Sequence, residues 1–313
     1  MGILRVTESY DENQESVLGP WGHCGRSNLN MNELQISETV VYPYVLSFSV
    51  TGMRNLKGYR FPSTINRAER KAVEKVLRAA ITSSSLGGKY VIGTDITPDI
   101  LTPKIEPGSD YFTCDWPYHR LLYTSLPGNV NIIVNHTDHL CIKVTGNEGE
   151  FNVKDIMSTY TKALSGVETE LNDHGYSYMY DSTYGYHTSN PFHLGTAMIA
   201  TVTMCLPLLI EKSPVSVMSR LGLTYVLSVP VSGEGYVREG QCEISHVHRM
   251  GCSEAEQIQT LMDGVKVSAF HLKFISSFSH LFFIFISNLS ILLSLFLDFS
   301  WYLTHRQIGR AHV

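Results

Sequence analysis

The segment RLLYTSLPGNVNIIVNHTDHLCIKV, residues 120 to 144, decides the fold. It holds short runs of β-branched and large apolar side chains at 120–125, 129–134 and 139–144. The Pro127-Gly128 turn separates the first two runs, and the polar stretch His136-Thr137-Asp138 separates the last two. Neighbouring strands joined by such tight connections pair in the antiparallel direction. The segment therefore predicts an antiparallel β-sheet.

Helical periodicity appears on both sides of this segment. Asn66 with Glu69 forms a capping box, and apolar side chains follow at spacings of three and four up to Ile81. A second apolar stripe runs from Val153 to Asn172, where Gly175 can end the helix. A third helix is predicted to begin at the capping box of Ser253 and Glu256 and to continue through Val265.

Further strands are predicted at 199–206 and 226–231. No strand is followed by a Gly-x-Gly-x-x-Gly motif, which disfavours a doubly wound parallel sheet. The predicted fold class is therefore α+β, an antiparallel β-sheet flanked by α-helices.

Composition excludes some functions. The net charge is -5, from 24 basic and 29 acidic side chains, and no basic stripe is present, so nucleic acid is not an expected partner. The six cysteines form no Cys-x-x-Cys pair and the first residues do not resemble a signal peptide, which predicts a cytoplasmic protein. The 13 histidines include His136, His139, His193, His246 and His248, but without a carboxylate or thiolate at fixed spacing no metal site is predicted.

Polarity and hydrophobic periodicity divide the chain into three parts. Residues 1–43 are polar and without periodicity, and are predicted to be an irregular lead-in. Residues 44–266 alternate apolar segments with turn signals and are predicted to form the domain. Residues 267–313 are an apolar tail rich in Phe, Leu, Ile and Ser.

Several segments of the domain, taken in order, resemble those of the phosphagen (ATP:guanidino) kinases, the creatine and arginine kinase family. They are Tyr44-Val45-Leu46-Ser47, Lys57-Gly58-Tyr59, 67–75, Asp115-Trp116-Pro117, Asp138-His139-Leu140, 190–196 and Asp263-Gly264-Val265-Lys266. The resemblance implies a catalytic domain built on an antiparallel sheet, and a family N-terminal domain that is largely absent from residues 1–43. It also implies transfer of the ATP γ-phosphoryl group to a guanidino nitrogen, with Mg-ATP as cosubstrate, and the homodimer found among relatives.

The resemblance also locates the family's site residues. The positions of its phosphate-binding arginines are occupied by Ser49, Thr51, Cys141, Ile199 and Val226. Thr137 stands where the family has a substrate-orienting carboxylate, and Asn190 stands where it has a reactive thiol. The residues that remain as candidates for nucleotide binding are Arg54, Glu243 and Arg249.

Losing one charge-assisted hydrogen bond costs roughly 1.5 to 3 kcal/mol, so losing several at a triphosphate abolishes useful ATP binding by this route. The favoured hypothesis is a pseudoenzyme that needs no cofactor and keeps a binding or scaffolding role. One alternative is an active kinase in which Arg54, Lys57, Arg238 and Arg249 bind phosphate instead. A second alternative is a mis-spliced, non-functional product.

The tail bears on the second alternative. Val267-Ser268 is what a splice donor encodes in frame, and the last six residues match the translation of a sequencing adapter, which predicts a retained intron joined to an adapter. The other interpretation is a membrane segment at 281–297, which is nearly all apolar but is interrupted by Ser287, Asn288, Ser290 and Ser294. A membrane partner is expected only if this segment is genuine.

Overall fold

The computed structural model describes residues 44–84, 86–92, 118–146, 152–206, 218, 222–227, 241–247 and 249–268. Its centre is an eight-stranded sheet in the order β2-β3-β4-β5-β1-β8-β10-β9, with every pairing antiparallel. The strands are β1 (Val45–Arg54), β2 (Gly88–Ile92), β3 (Leu121–Ser125), β4 (Val130–Val134), β5 (Leu140–Thr145), β8 (Met198–Cys205), β9 (Leu223–Leu227) and β10 (Gln241–His246). The predicted fold class is confirmed.

The segment at 120–144 forms β3, β4 and β5 as predicted, each strand within one residue of the expected bounds. Gly128, at φ 78°, makes the first turn, a conformation that suits glycine because it has no Cβ. β8 also agrees with its prediction, whereas β9 begins three residues before the expected Val226. The part of that prediction at 228–231 lies outside the described residues.

All three predicted helices are present: α1 (Arg67–Ser83), α2 (Val153–Asp173) and α3 (254–268). At the start of α1 the Asn66 side chain accepts from Glu69 N at 2.8 Å, and Glu69 accepts from Asn66 N at 3.3 Å. Ser253 and Glu256 form the equivalent pair of bonds before α3. Both capping boxes therefore act as the sequence predicts.

α2 packs on β1 and β5 and also contacts α1, so these helices cover one face of the sheet. Gly52 permits this close approach, because a Cβ at this position would overlap the Tyr160 hydroxyl of α2. Phe48 and Val50 on β1 point to this covered face and are fully buried. Alternation along the strand then places Ser47, Ser49 and Thr51 on the opposite face.

A separate hairpin, β6 (Tyr180–Asp181) with β7 (Gly185–Tyr186), follows α2. The rings of Tyr178 and Tyr180 contact the Tyr186 ring edge-on at centroid distances of 6.4 and 5.1 Å. These three tyrosines therefore pack against one another at the hairpin.

The interpretations of the lead-in at 1–43 and of the tail at 267–313 fall on residues outside the described part, apart from the end of α3. Among the described residues, no helix has both the length and the apolar character needed to cross a membrane.

Candidate functional site

None of the three described helices packs on the second face of the sheet, called here the open face, and this face carries Ser49, Thr51, Cys141, Ile199 and Val226. Residues that lie opposite one another in antiparallel strands point to the same side, as do residues two apart on one strand. Thr51 of β1 lies opposite Lys143 of β5 and Ile199 of β8. Cys141 precedes Lys143 by two residues, so it shares this face.

Val226 lies on the same face, because a row of directly opposed residues on neighbouring strands connects it to Ser47. Ser47 lies opposite Thr203, Thr203 opposite Glu243, and Glu243 opposite Val226. Ser49 stands two residues after Ser47 and completes the set. The structure therefore places on one face of the sheet all the positions at which the family resemblance places phosphate-binding arginines, spread over the strands from β5 to β9.

Hydroxyl groups dominate the chemistry of the open face. Ser49 lies opposite Thr145 and Thr201, and the Ser47 hydroxyl donates to the Thr203 hydroxyl at 3.0 Å. Lys143 supplies a cation beside Thr51. The exposed Glu243 supplies an opposing negative charge.

A triphosphate with Mg²⁺ does not fit this set of donors. Phosphate oxygens are bound tightly by arginines, whose planar fork makes two charge-assisted hydrogen bonds. Ser49, Thr51 and Cys141 carry no charge that could replace such forks, and Glu243 repels the anion. We therefore assign no phosphoryl-transfer step to these residues.

Arg54 lies on the opposite, covered face, since it is three residues from Thr51 on the same strand and faces Leu140. Its side chain is 1% exposed. Nη1 donates to the carbonyl oxygens of Met53 at 2.8 Å and Thr196 at 3.2 Å, and the guanidinium stacks 3.6 Å from the Tyr186 ring centroid. This placement argues against a role for Arg54 in binding nucleotide at the open face.

Glu254, at the start of α3, provides the counter-charge for Arg54. Its Oε1 lies 3.8 Å from Nη2 of Arg54 and the side chain is 6% exposed. Burial raises the pKa of Glu254 to about 7, although the neighbouring Arg54 acts in the opposite direction. The pair ties β1 to α3, and it is structural in character.

Arg249 lies beside the loop that contains Asn190. Its Nη1 donates to the carbonyl oxygens of Phe192 at 3.1 Å and Val247 at 3.4 Å. Burial lowers the pKa of Arg249. Asn190 is exposed, and its Oδ1 accepts from Phe192 N at 3.0 Å, so it caps a short 3₁₀ turn.

Thr137 sits half-buried between two buried residues of the β4–β5 hairpin. Asp138 accepts from the Asn55 amide and from Ser189 N, both at 2.7 Å. Burial raises its pKa in spite of these bonds. The hairpin is thus held to the end of β1 and to the 187–190 loop.

Both ring nitrogens of His139 form hydrogen bonds with the backbone in the same region. Its Nδ1 accepts from Leu56 N at 3.0 Å, so Nε2 carries the proton and donates to the Arg60 carbonyl oxygen at 2.8 Å. Burial lowers the pKa of His139 to about 4, with the Arg60 bond opposing the shift. This histidine is a neutral structural group.

Neither metal binding nor glycosylation finds support in this region. Among the described residues, no group of three His, Cys, Asp or Glu side chains could hold a metal ion. Asn135, within the Asn-His-Thr glycosylation pattern, is fully buried and donates to the carbonyl oxygens of Arg70 and His119.

Sequence reasoning missed β1, β2 and β10 as strands, and it missed Lys143 and Glu254. The alternation of Ser47, Ser49 and Thr51 with Phe48 and Val50 is a period-two signal that predicts β1. Glu254 carries no comparable signal, because the first position of a helix is usually exposed.

Comparison with known proteins agrees with this architecture. The family ATP:guanido phosphotransferase, C-terminal catalytic domain, matches residues 67–268. The flagellar creatine kinase of Strongylocentrotus purpuratus is 29% identical over 264 residues, covering 77% of this chain and 21% of that protein. The testis isozyme creatine kinase of Oncorhynchus mykiss is 28% identical over 262 residues, covering 77% of this chain and 66% of that protein.

Solved structures show the same fold. A lombricine kinase superposes with a TM-score of 0.69 at 24% identity, covering 80% of this chain and 71% of that chain. The substrate-free duplicated taurocyamine kinase from Schistosoma mansoni superposes with a TM-score of 0.69 at 18% identity, covering 80% of this chain and 36% of that chain. The chain thus spans from about a fifth to two thirds of the curated relatives described above.

Proposed function

Because the chain belongs to the ATP:guanido phosphotransferase family, we propose that it is a member that keeps the catalytic sheet and has lost phosphoryl transfer. Its remaining role is to bind or scaffold. A homodimer and a cytoplasmic location are part of this proposal. The latter is supported by Cys141, Cys205, Cys242 and Cys252, which are thiols and not disulfides.

One observation supports the proposal most directly. The positions Ser49, Thr51, Cys141, Ile199 and Val226 all lie on the open face. None of these side chains is cationic. Arg54, an arginine that remained a candidate for nucleotide binding, is buried on the other side of the sheet.

The direct test uses the full chain. We expect no heat of binding for Mg-ATP in calorimetry and no phosphoryl transfer to creatine, arginine, lombricine or taurocyamine in a coupled assay. Micromolar Mg-ATP binding together with turnover on any acceptor would refute the proposal.

A gain-of-function variant tests the cause of the loss. Ser49→Arg with Thr51→Arg puts two cations at neighbouring positions of one strand on the open face. We expect Mg-ATP affinity to rise at least roughly tenfold, since each charge-assisted bond contributes about 1.5 to 3 kcal/mol.

The matched control for that variant is Ser47→Arg with Thr203→Arg. It adds the same charge to the same face, at a pair of opposed residues that are not family arginine positions. An equal gain in the control would mean that general charge, and not the family positions, limits binding.

A second candidate function is an active kinase with substitute cations. It is favoured by Lys143, which lies opposite Thr51, and by Arg249, which is only half-buried. In that case Lys143→Gln would abolish a measurable turnover while leaving the unfolding midpoint unchanged. The same coupled assay therefore separates the two functions.

A further inference from the structure

A concavity lies outside the open face, in the helical layer. It is a groove of about 300 Å³ between α1 and the end of α2, bordered by Tyr59 and Tyr176. This volume is at the lower end of the range for small-molecule sites. We call it the helix groove.

Small side chains on α1 create the helix groove. Ala72, Ala79 and Ala80 line it from α1, together with Val76, and Leu171 lines it from α2. Ala80 and Leu171 are 4% and 1% exposed, so they form a floor continuous with the core. The floor is apolar and can hold an apolar body of matching size.

Charged side chains of both signs border this floor. Lys75 projects from α1 and Glu170 from α2, and both line the groove. Two charged side chains of α1 pair with each other, Arg78 with Glu74. No ion pair of Lys75 or Glu170 occurs within the described part of the chain.

The remaining polar groups of the border are tied to each other. Nδ1 of His174 donates to the Glu170 carbonyl oxygen at 2.7 Å, and burial together with the neighbouring Tyr176 raises the pKa of Tyr59. These contacts hold the ends of the groove in place. The Lys75 ammonium and the Glu170 carboxylate are therefore the groups of the border that can select a ligand.

We infer that the helix groove binds a small zwitterion with an apolar body, of the size of a large free amino acid. The body lies on the apolar floor, the ligand's anionic group meets Lys75, and its cationic group meets Glu170. The two opposite charges of the ligand complement Lys75 and Glu170. An uncharged apolar molecule would leave both side chains without a partner in the groove.

This site is independent of the open face. α2 packs on the covered face of β1, so the groove lies on the helical side of the sheet. A ligand there leaves Ser49, Thr51 and Lys143 uncovered. The inference therefore goes beyond the proposed function and does not depend on nucleotide binding.

L-tryptophan, titrated into the full chain and followed by calorimetry, is the probe. For a ligand of this size we expect a Kd of roughly 1 mM or lower. Tryptamine lacks the carboxylate and N-acetyl-L-tryptophan lacks the ammonium group, so each is expected to bind about tenfold more weakly.

Variants locate the binding. Ala79→Phe fills the groove from an exposed position of α1 and is expected to abolish binding without a large change in the melting temperature. Lys75→Gln is expected to weaken binding about tenfold. The matched control is Lys71→Gln, on the same helix but outside the groove, which is expected to leave the Kd unchanged.

Two results overturn the inference. One is the absence of L-tryptophan binding to the wild-type chain. The other is binding that survives Ala79→Phe, or that Lys71→Gln weakens as much as Lys75→Gln does, because the probe would then occupy another surface.

Discussion

At the scale of single residues, the buried His139 helps to hold the β4–β5 hairpin in the scaffold. His139 uses both ring nitrogens on the backbone, accepting from Leu56 N and donating to the Arg60 carbonyl oxygen. A proton added to Nδ1 would break the first bond and place a charge where no water can reach it. The neutral form is therefore the one that the fold selects.

We predict that His139 titrates near pH 4 in the folded protein, against 6.5 in the unfolded chain. Since the folded pKa is the lower one, this group contributes stability above pH 6.5 that is lost as the pH falls towards 4. The full contribution is roughly 3 kcal/mol. Ring ¹⁵N chemical shifts measured from pH 3.5 to 8 check both the pKa and the Nε2-protonated tautomer, and titration above pH 6 would contradict the prediction.

At the scale of elements, the turn before β8 packs against the loop before α3. Thr196 N donates to the Arg249 carbonyl oxygen at 3.2 Å. Gly195 makes this approach feasible, since its φ is 108° and a Cβ would overlap that same oxygen. Gly175, after α2, has a comparable φ of 79° but no atom within 4 Å of the added Cβ.

We predict that Gly195→Ala destabilises the protein more than Gly175→Ala does. Both variants strain the backbone, at a cost of about 1 to 2 kcal/mol. Gly195→Ala adds an overlap that costs about 1 to 3 kcal/mol more. Urea denaturation of both variants measures the difference, and equal midpoints would show that the loop moves away at little cost.

At the scale of the whole molecule, one continuous core joins the sheet to all three helices. It includes Phe48 of β1, Leu77 of α1, Val167 of α2 and Leu261 of α3, each fully buried. A core shared in this way predicts a single cooperative transition.

We therefore predict one sharp thermal transition for the full chain, followed by far-UV circular dichroism. A broad, non-cooperative loss of signal would favour the hypothesis of a mis-spliced product that does not fold stably. Sedimentation velocity on the same sample tests the homodimer, which stays a prediction.

Local patterns in the sequence determined most of the fold. The capping boxes at Asn66 and Ser253 act within four residues, and the strands at 120–144 follow from alternation and turns that are equally local. The order of the motifs then indicated the family without any knowledge of contacts. These features were predictable because their causes lie a few residues apart in the chain.

Tertiary structure alone decided which side of the sheet each candidate residue occupies. Arg54 was a candidate for nucleotide binding by sequence, but the register of β1 turns it into the core, where it meets Glu254 200 positions further along the chain. The register likewise gathers Ser49, Cys141 and Val226 on the open face from three separate strands. Such pairings depend on contacts between distant segments, and no local pattern specifies them.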